Sequence, residues 1–152
     1  MKKIQIAIAY HKKSPIIEND CLFPIQVGKT CSDIELQIPG DDTGDNISHK
    51  NFGYAELTAI YWLWKNSKAD IKGLFHYRRF LDLNEKSPHI NKNIYELHFN
   101  KDFNKDSFIS QSGLEEKHLE KLFRKFDIIT RKKEDLHDWS NYTVESHYAA
   151  IH

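Results

Sequence analysis

Ile4-Gln5-Ile6-Ala7-Ile8-Ala9-Tyr10 is the stretch that decides the fold. It is β-branched and nearly continuous in apolar character, the pattern of a strand covered on both faces, as in a parallel sheet flanked by helices. Its charged start, Met1-Lys2-Lys3, imitates the head of a signal peptide. The apolar run is short, is interrupted by Gln5 and leads into His11-Lys12-Lys13 instead of a small-residue cleavage site, so it reads as a first strand with a polar tip.

Outward from that strand, Pro15, Pro24, Gly28, Pro39 and Gly40 punctuate short apolar pieces such as Phe23-Pro24-Ile25-Gln26-Val27, which predicts loops with one or two short strands. Ser48 or Asn51 then caps a helix over 54–66, in which Tyr54, Leu57, Tyr61 and Trp64 fall at helical spacing while Ala55, Ala59 and Trp62 widen the apolar surface. The apolar surface covers most of the circumference, which predicts a helix buried against the sheet. A second core strand is expected over 71–80, where polar side chains begin abruptly at the distal end. Residues 82–110 read as an insertion-like loop with short helical turns. Ser112-Gly113-Leu114-Glu115 has capping-box spacing and opens an amphipathic helix carrying His118, Leu119, Leu122, Phe123 and Phe126 and ending near Lys125. A third strand is expected over 126–130, and 141–152 reads as a helix within which the chain stops. The expectation is one α/β domain over residues 1–152, with a mainly parallel sheet flanked by helices and incomplete at its C-terminus.

Composition narrows the function classes. The length of 152 residues suits one core. With 22 Lys+Arg against 22 Asp+Glu, no summed field draws the chain to nucleic acid or anionic lipid. No apolar run approaches the ~20 residues of a membrane-spanning helix. Cys21 and Cys31 make neither a disulfide framework nor a zinc site, and a reducing compartment is the simpler reading. The nine histidines are scattered without metal-ligand spacing. Gly-x-Gly-x-x-Gly, Gly-x-x-x-x-Gly-Lys-Ser/Thr and Gly-x-Ser-x-Gly are all missing from the sequence.

Ligands of open α/β sheets bind beyond the carboxyl ends of the strands, where strand order reverses. Two polar clusters fall at such ends: His11-Lys12 and His76-Tyr77-Arg78-Arg79. Strand alternation places His76 and Arg78 on one side and Tyr77 and Arg79 on the other. Guanidinium groups grip phosphate through paired hydrogen bonds and an imidazole adds a donor, so a diphosphate is the expected ligand. Asp41, Asp42 and Asp45 suggest oxygen ligands for a divalent cation, although turn formation is the commoner use of such residues. Glu56 lies in the most apolar helix and needs a partner there, either as a site residue or in an ion pair with Lys or Arg.

Asp42-Thr43-Gly44-Asp45-Asn46-Ile47-Ser48, Lys50-Asn51, Tyr54-Ala55-Glu56-Leu57-Thr58-Ala59-Ile60-Tyr61-Trp62-Leu63-Trp64-Lys65-Asn66 and Gly73-Leu74-Phe75-His76-Tyr77-Arg78-Arg79-Phe80 resemble, in order and spacing, the DUF4422 glycosyltransferases of capsular and exopolysaccharide biosynthesis. The resemblance spans about residues 4–150 and is densest over 42–80. It implies a GT-A-like, Rossmann-like sheet that binds a nucleotide sugar, UDP-sugar being the expected donor. Transfer would be to a capsular, exopolysaccharide or lipopolysaccharide acceptor, lipid-linked or polymeric. It further implies action in the cytoplasm, at the inner face of the membrane and without an anchor. His76, Arg78 and Arg79 would hold the donor diphosphate, His11 and Lys12 the nucleotide, and Asp45, Asn46 and Glu56 the sugar. Members continue past the point where this chain stops, so the catalytic base is expected outside it, and the runner-up reading is a non-catalytic nucleotide-sugar-binding remnant or an interaction module. Where many GT-A enzymes carry a metal-binding Asp-x-Asp, this chain reads His76-Tyr77-Arg78-Arg79. A metal-independent mechanism is therefore expected, with Mn or Mg at the acidic loop as the alternative.

Overall fold

A computed structural model describes residues 2–84, 94–96 and 102–131. Ile4–Tyr10 forms β1, and its side chains alternate between two apolar environments. Ile4, Ile6, Ile8 and Tyr10 enter one cluster with Phe75, Phe80, Phe108 and Leu119, whereas Ala7 and Ala9 enter another with Ile25, Val27, Ala59 and Leu63. A strand that buries both faces leaves no polar position in its centre, which is why β1 reads as a continuous apolar run. The alanines are on the face covered by a helix, where small side chains let the helix backbone approach.

β2 (Leu22–Gln26) and β3 (Ile71–His76) flank β1 and run parallel to it. β4 (Arg79–Leu81) and β5 (Ile94–Glu96) follow antiparallel, giving the sheet order β2-β1-β3-β4-β5. The α/β class is as expected, with the parallel pairing at one side of the sheet and antiparallel pairing at the other. The strand expected over 71–80 stops at His76 and folds back through Tyr77-Arg78. Ile94–Glu96 and a helix, α3 (Lys105–Gln111), lie where a loop with helical turns is expected. The side chain of Asn104 caps α3 by accepting the Ser107 N–H at 2.8 Å. Ser112 closes that helix by donating to the Phe108 carbonyl at 2.6 Å, so it does not open the next one. α4 (Glu116–Phe123) begins without a side-chain cap.

The helix expected over 54–66 is interrupted. A 3-10 turn (Ser48–Lys50) and the short α1 (Asn51–Tyr54) come first, Ala55 takes φ 45° and ψ −130°, and α2 (Leu57–Asn66) follows. Neither Ser48 nor Asn51 acts as an N-cap. Ser48 donates to Asp41, and Asn51 Nδ2 donates to the carbonyl of Ala55 at 2.7 Å, which stitches the break. α2 packs on the sheet through Thr58, Ala59 and Leu63, with Trp62 stacked on Phe23 of β2 at 5.5 Å, whereas Leu57 is 56% and Trp64 64% exposed, so that side of the helix points away from the sheet. The alanine-lined face of β1 accepts the smaller stripe. Residues 126–130 have no ladder partner among the described residues, so the third core strand expected there is not among the strands described. The helix expected over 141–152 lies outside the described residues. Among the described residues no helix is long and apolar enough to cross a membrane.

Candidate functional site

The chain leaves β1 for β2 on one side and returns to β3 on the other, so strand order reverses between β1 and β3. Crevices open at the carboxyl ends of the two strands flanking such a reversal. His11 follows β1 directly and His76 ends β3, and their rings meet with centroids 5.7 Å apart. Tyr77 lies beneath both. Its ring is 5.3 Å edge-on from His11 and 4.4 Å from His76, and it stacks on Tyr10 at 5.6 Å. The Arg78 guanidinium carbon lies 5.2 Å from the centre of the Tyr77 ring, within cation-π range. The Tyr77 hydroxyl is buried without a hydrogen-bond partner among the described residues. Tyr10 is held more firmly: its hydroxyl accepts from Ile17 N–H at 2.9 Å and donates to the Pro15 carbonyl at 3.1 Å, and burial pushes its pKa up to about 12.

His76 is fixed on both ring nitrogens. Its Nδ1 accepts the backbone N–H of Arg78 at 3.3 Å, and its Nε2 lies 3.6 Å from Glu56 Oε1. That network assigns the neutral ring's proton to Nε2, facing the carboxylate. Burial lowers the His76 pKa below its ordinary 6.5; Glu56 opposes this, and the charges of His11, Arg78 and Arg79 add to it. His11 is lowered as well, first by burial and then by Lys12, against the pull of Glu56. Two adjacent imidazoles held neutral do not repel one another as paired cations would, which leaves the positive charge of the cluster to the arginines. Glu56 thus finds its partner in a histidine, where Lys or Arg was expected.

The two-residue turn corrects the assignment of faces. His76 and Arg79 are cross-strand partners, and directly opposed residues share a face. Arg79 therefore joins His76 and Glu56 on the α2 side, while Tyr77 turns into the core and Arg78 lies exposed at the bend. Lys12 is exposed beside His11. The structure thus brings together His11, His76, Arg78, Arg79 and Glu56, with Lys12 at the margin. Next to them opens a cleft of about 440 Å³, which Ile129, Thr130 and Arg131 also line. Nothing in the sequence marks those three, because they belong to the site only through the path of the chain beyond α4. Tyr77 was equally hidden, since a turn without Gly or Asn gives no sign that its first residue enters the core.

Asp45 and Asn46 are not brought to this cluster. Asp45 accepts from the Tyr61 hydroxyl at 3.0 Å and faces Lys65 Nζ at 3.6 Å, while Asn46 Oδ1 accepts the Ser48 N–H at 3.1 Å. At ~1.5 Å rise per residue, Lys65 lies roughly 13 Å along the helix from Glu56, so Asp45 serves the far end of α2. Asp41 is fully buried and accepts from Gly28 N–H at 2.9 Å, Lys29 N–H at 3.1 Å and Ser48 Oγ at 2.5 Å. Its carboxylate organises the turn after β2. Asp41 and Asp45 therefore serve two structural tasks while Asp42 lies exposed, and among the described residues no three His, Cys, Asp or Glu side chains converge as a metal-binding group. The described residues do not fit a divalent cation there.

A family model described as Domain of unknown function (DUF4422) matches residues 5–152. No curated protein matches the chain. Among solved structures, the chain is similar to the apo structure of the bifunctional glycosyltransferase WbbM, with 34% identity and a TM-score of 0.77 over 96% of its own length. The match takes up 25% of that protein, so the chain spans about a quarter of its length.

Proposed function

The chain belongs to the DUF4422 family, and from that premise we propose that it is the donor-binding domain of a glycosyltransferase. The observation that carries the reading is the meeting of His11, His76, Arg78 and Glu56 at the strand-order reversal between β1 and β3. The likeness to WbbM supports it.

In this reading the donor is a nucleotide sugar, a UDP-sugar by preference, and its diphosphate lies against Arg78 and Arg79, beside the His76 ring that Glu56 holds in place. His11 and Lys12 hold the nucleotide side, and Glu56 takes a sugar hydroxyl. Breaking the bond between sugar and diphosphate leaves negative charge on the departing phosphate oxygens. Fixed guanidinium donors stabilise that charge without reorganising as it develops. The cations do this in place of a metal, in keeping with the structural duties of Asp41 and Asp45. The acceptor is a capsular, exopolysaccharide or lipopolysaccharide chain, met at the cytoplasmic face of the membrane.

Titration calorimetry with UDP and a panel of UDP-sugars, with and without EDTA, tests the reading. Saturable binding that EDTA leaves unchanged is expected. Transfer to a lipid-linked acceptor identifies an active transferase, and binding without transfer identifies a donor-binding remnant. No heat at millimolar ligand would refute donor binding, and affinity lost to EDTA and restored by Mn or Mg would refute the metal-free mechanism.

A further inference from the structure

Residues 124–131, the described stretch beyond α4, form no strand, and Ile129, Thr130 and Arg131 complete the lining of the cleft that begins at His76 and Arg79. The cleft's volume of about 440 Å³ is within the range of roughly 300–1,000 Å³ typical of small-molecule sites. Its lining divides by chemistry. Leu74, Leu81 and Ile129 give an apolar wall, while Arg79 and Arg131 supply guanidinium donors and Glu56, which faces His76, is the one carboxylate of the lining among the described residues. Arg79 and Arg131 are both exposed, and each makes an interaction within the chain.

We propose that this cleft seats a diphosphate ester, and that Arg131 supplies a second guanidinium beside Arg79, making it a ligand-binding residue that no motif marks. Two guanidiniums match the charge of a diphosphate better than one, and each presents paired donors to phosphate oxygens. An apolar wall next to the cationic rim selects an ester whose other end is flat or greasy over free pyrophosphate. A nucleoside diphosphate and an isoprenyl diphosphate share this chemistry. The inference rests on the donor-binding reading above but adds a residue and a wall that the reading does not need.

The test is calorimetry on the full chain with UDP, farnesyl diphosphate and inorganic pyrophosphate. The variants are Arg131→Ala, Arg131→Gln, Arg131→Lys, Arg78→Ala and Arg124→Ala, the last an exposed arginine of the α4 end. Arg131 is exposed, so its substitution opens no core, and melting curves of the Ala and Gln variants check this. A lost charge-assisted contact predicts roughly tenfold to hundredfold weaker binding of the diphosphate esters in both variants. Lys should restore part of the affinity, and Arg124→Ala should change nothing. UDP binding more tightly than farnesyl diphosphate and pyrophosphate identifies a nucleotide cleft, and the reverse order an isoprenyl cleft; both support the seat. If Arg78→Ala weakens UDP while the Arg131 variants bind as wild type, the cleft proposal fails and the donor-binding reading stands. If wild type binds none of the three, both fail.

Discussion

His76 accepts the backbone N–H of Arg78 on Nδ1 while its Nε2 faces Glu56, so the ring is clamped between an amide that needs a lone pair and a carboxylate that needs a proton. Protonating Nδ1 would set two donors against each other. Together with burial, this keeps the imidazole neutral below the usual histidine range. The expected result is an NMR-titrated His76 pKa below 6.5, lower still in Glu56→Gln, because the carboxylate is the one neighbour that raises it. A value above 6.5, or a rise in Glu56→Gln, contradicts the assignment.

The same depression makes folding pH-dependent. The folded pKa values of His76 and His11 lie below those of the unfolded chain, so in acid the unfolded state takes up protons first. The stability these two residues contribute is complete above about pH 6.5 and is lost as the pH falls through that value toward the folded pKa values. Urea midpoints measured between pH 7.5 and 5.5 should fall, and fall less steeply in His76→Gln. A slope unchanged by that substitution would show that His76 does not contribute.

The buried stripe of α2 gives a prediction opposite to the one its large residues suggest. Leu63→Ala should cost about 2–5 kcal/mol in equilibrium unfolding. Trp64→Ala, which removes a larger but exposed side chain that meets Lys65 Nζ at 4.1 Å and Tyr61 edge-on at 5.6 Å, should cost under about 1 kcal/mol. Equal costs would mean that the Trp64 side of the helix is buried.

How much could be read in advance depends on how many structures one pattern allows. The run Ile4–Tyr10 allows essentially one, because a strand apolar at every position from Ile6 to Ala9 must be covered on both faces. α2 is apolar around most of its circumference, so its sequence does not say which side faces the sheet; the alanines of β1 decide that from a distance. The His76–Arg79 turn hides for another reason. Neither of its central residues has positive φ, so it needs no Gly or Asn, and the segment reads as one long strand. The strand ends could be read as ligand-binding because their residue types carry the chemistry, whereas Thr130 and Arg131 enter by tertiary path alone.

Ala55 holds φ 45° and ψ −130°, a conformation costly for any residue with a Cβ, and it does so directly before Glu56. Ala55→Gly should leave stability unchanged or raise it by up to about 1 kcal/mol, and Ala55→Val should lower it by about 1–3 kcal/mol. Denaturant midpoints check both. A destabilised glycine variant would show that the break is not strained.

Asp41 gathers three donors in a fully buried position, so Asp41→Ala should destabilise by at least about 2 kcal/mol. Thermal melts with and without Mn or Mg check the structural role, which predicts the same melting temperature in both. A wild-type shift on adding metal that Asp41→Ala abolishes would make it a ligand.

The most direct test of the central claim follows the histidine ring signals by NMR while UDP is added in the presence of EDTA. His11 and His76 should shift together along one saturating curve, while His118, whose Nε2 is 3.0 Å from the Leu83 carbonyl and not at the β1 and β3 ends, stays still. UDP binding that moves His118 but leaves His11 and His76 unmoved, or no movement of any ring at millimolar UDP, would contradict a diphosphate site at that crevice.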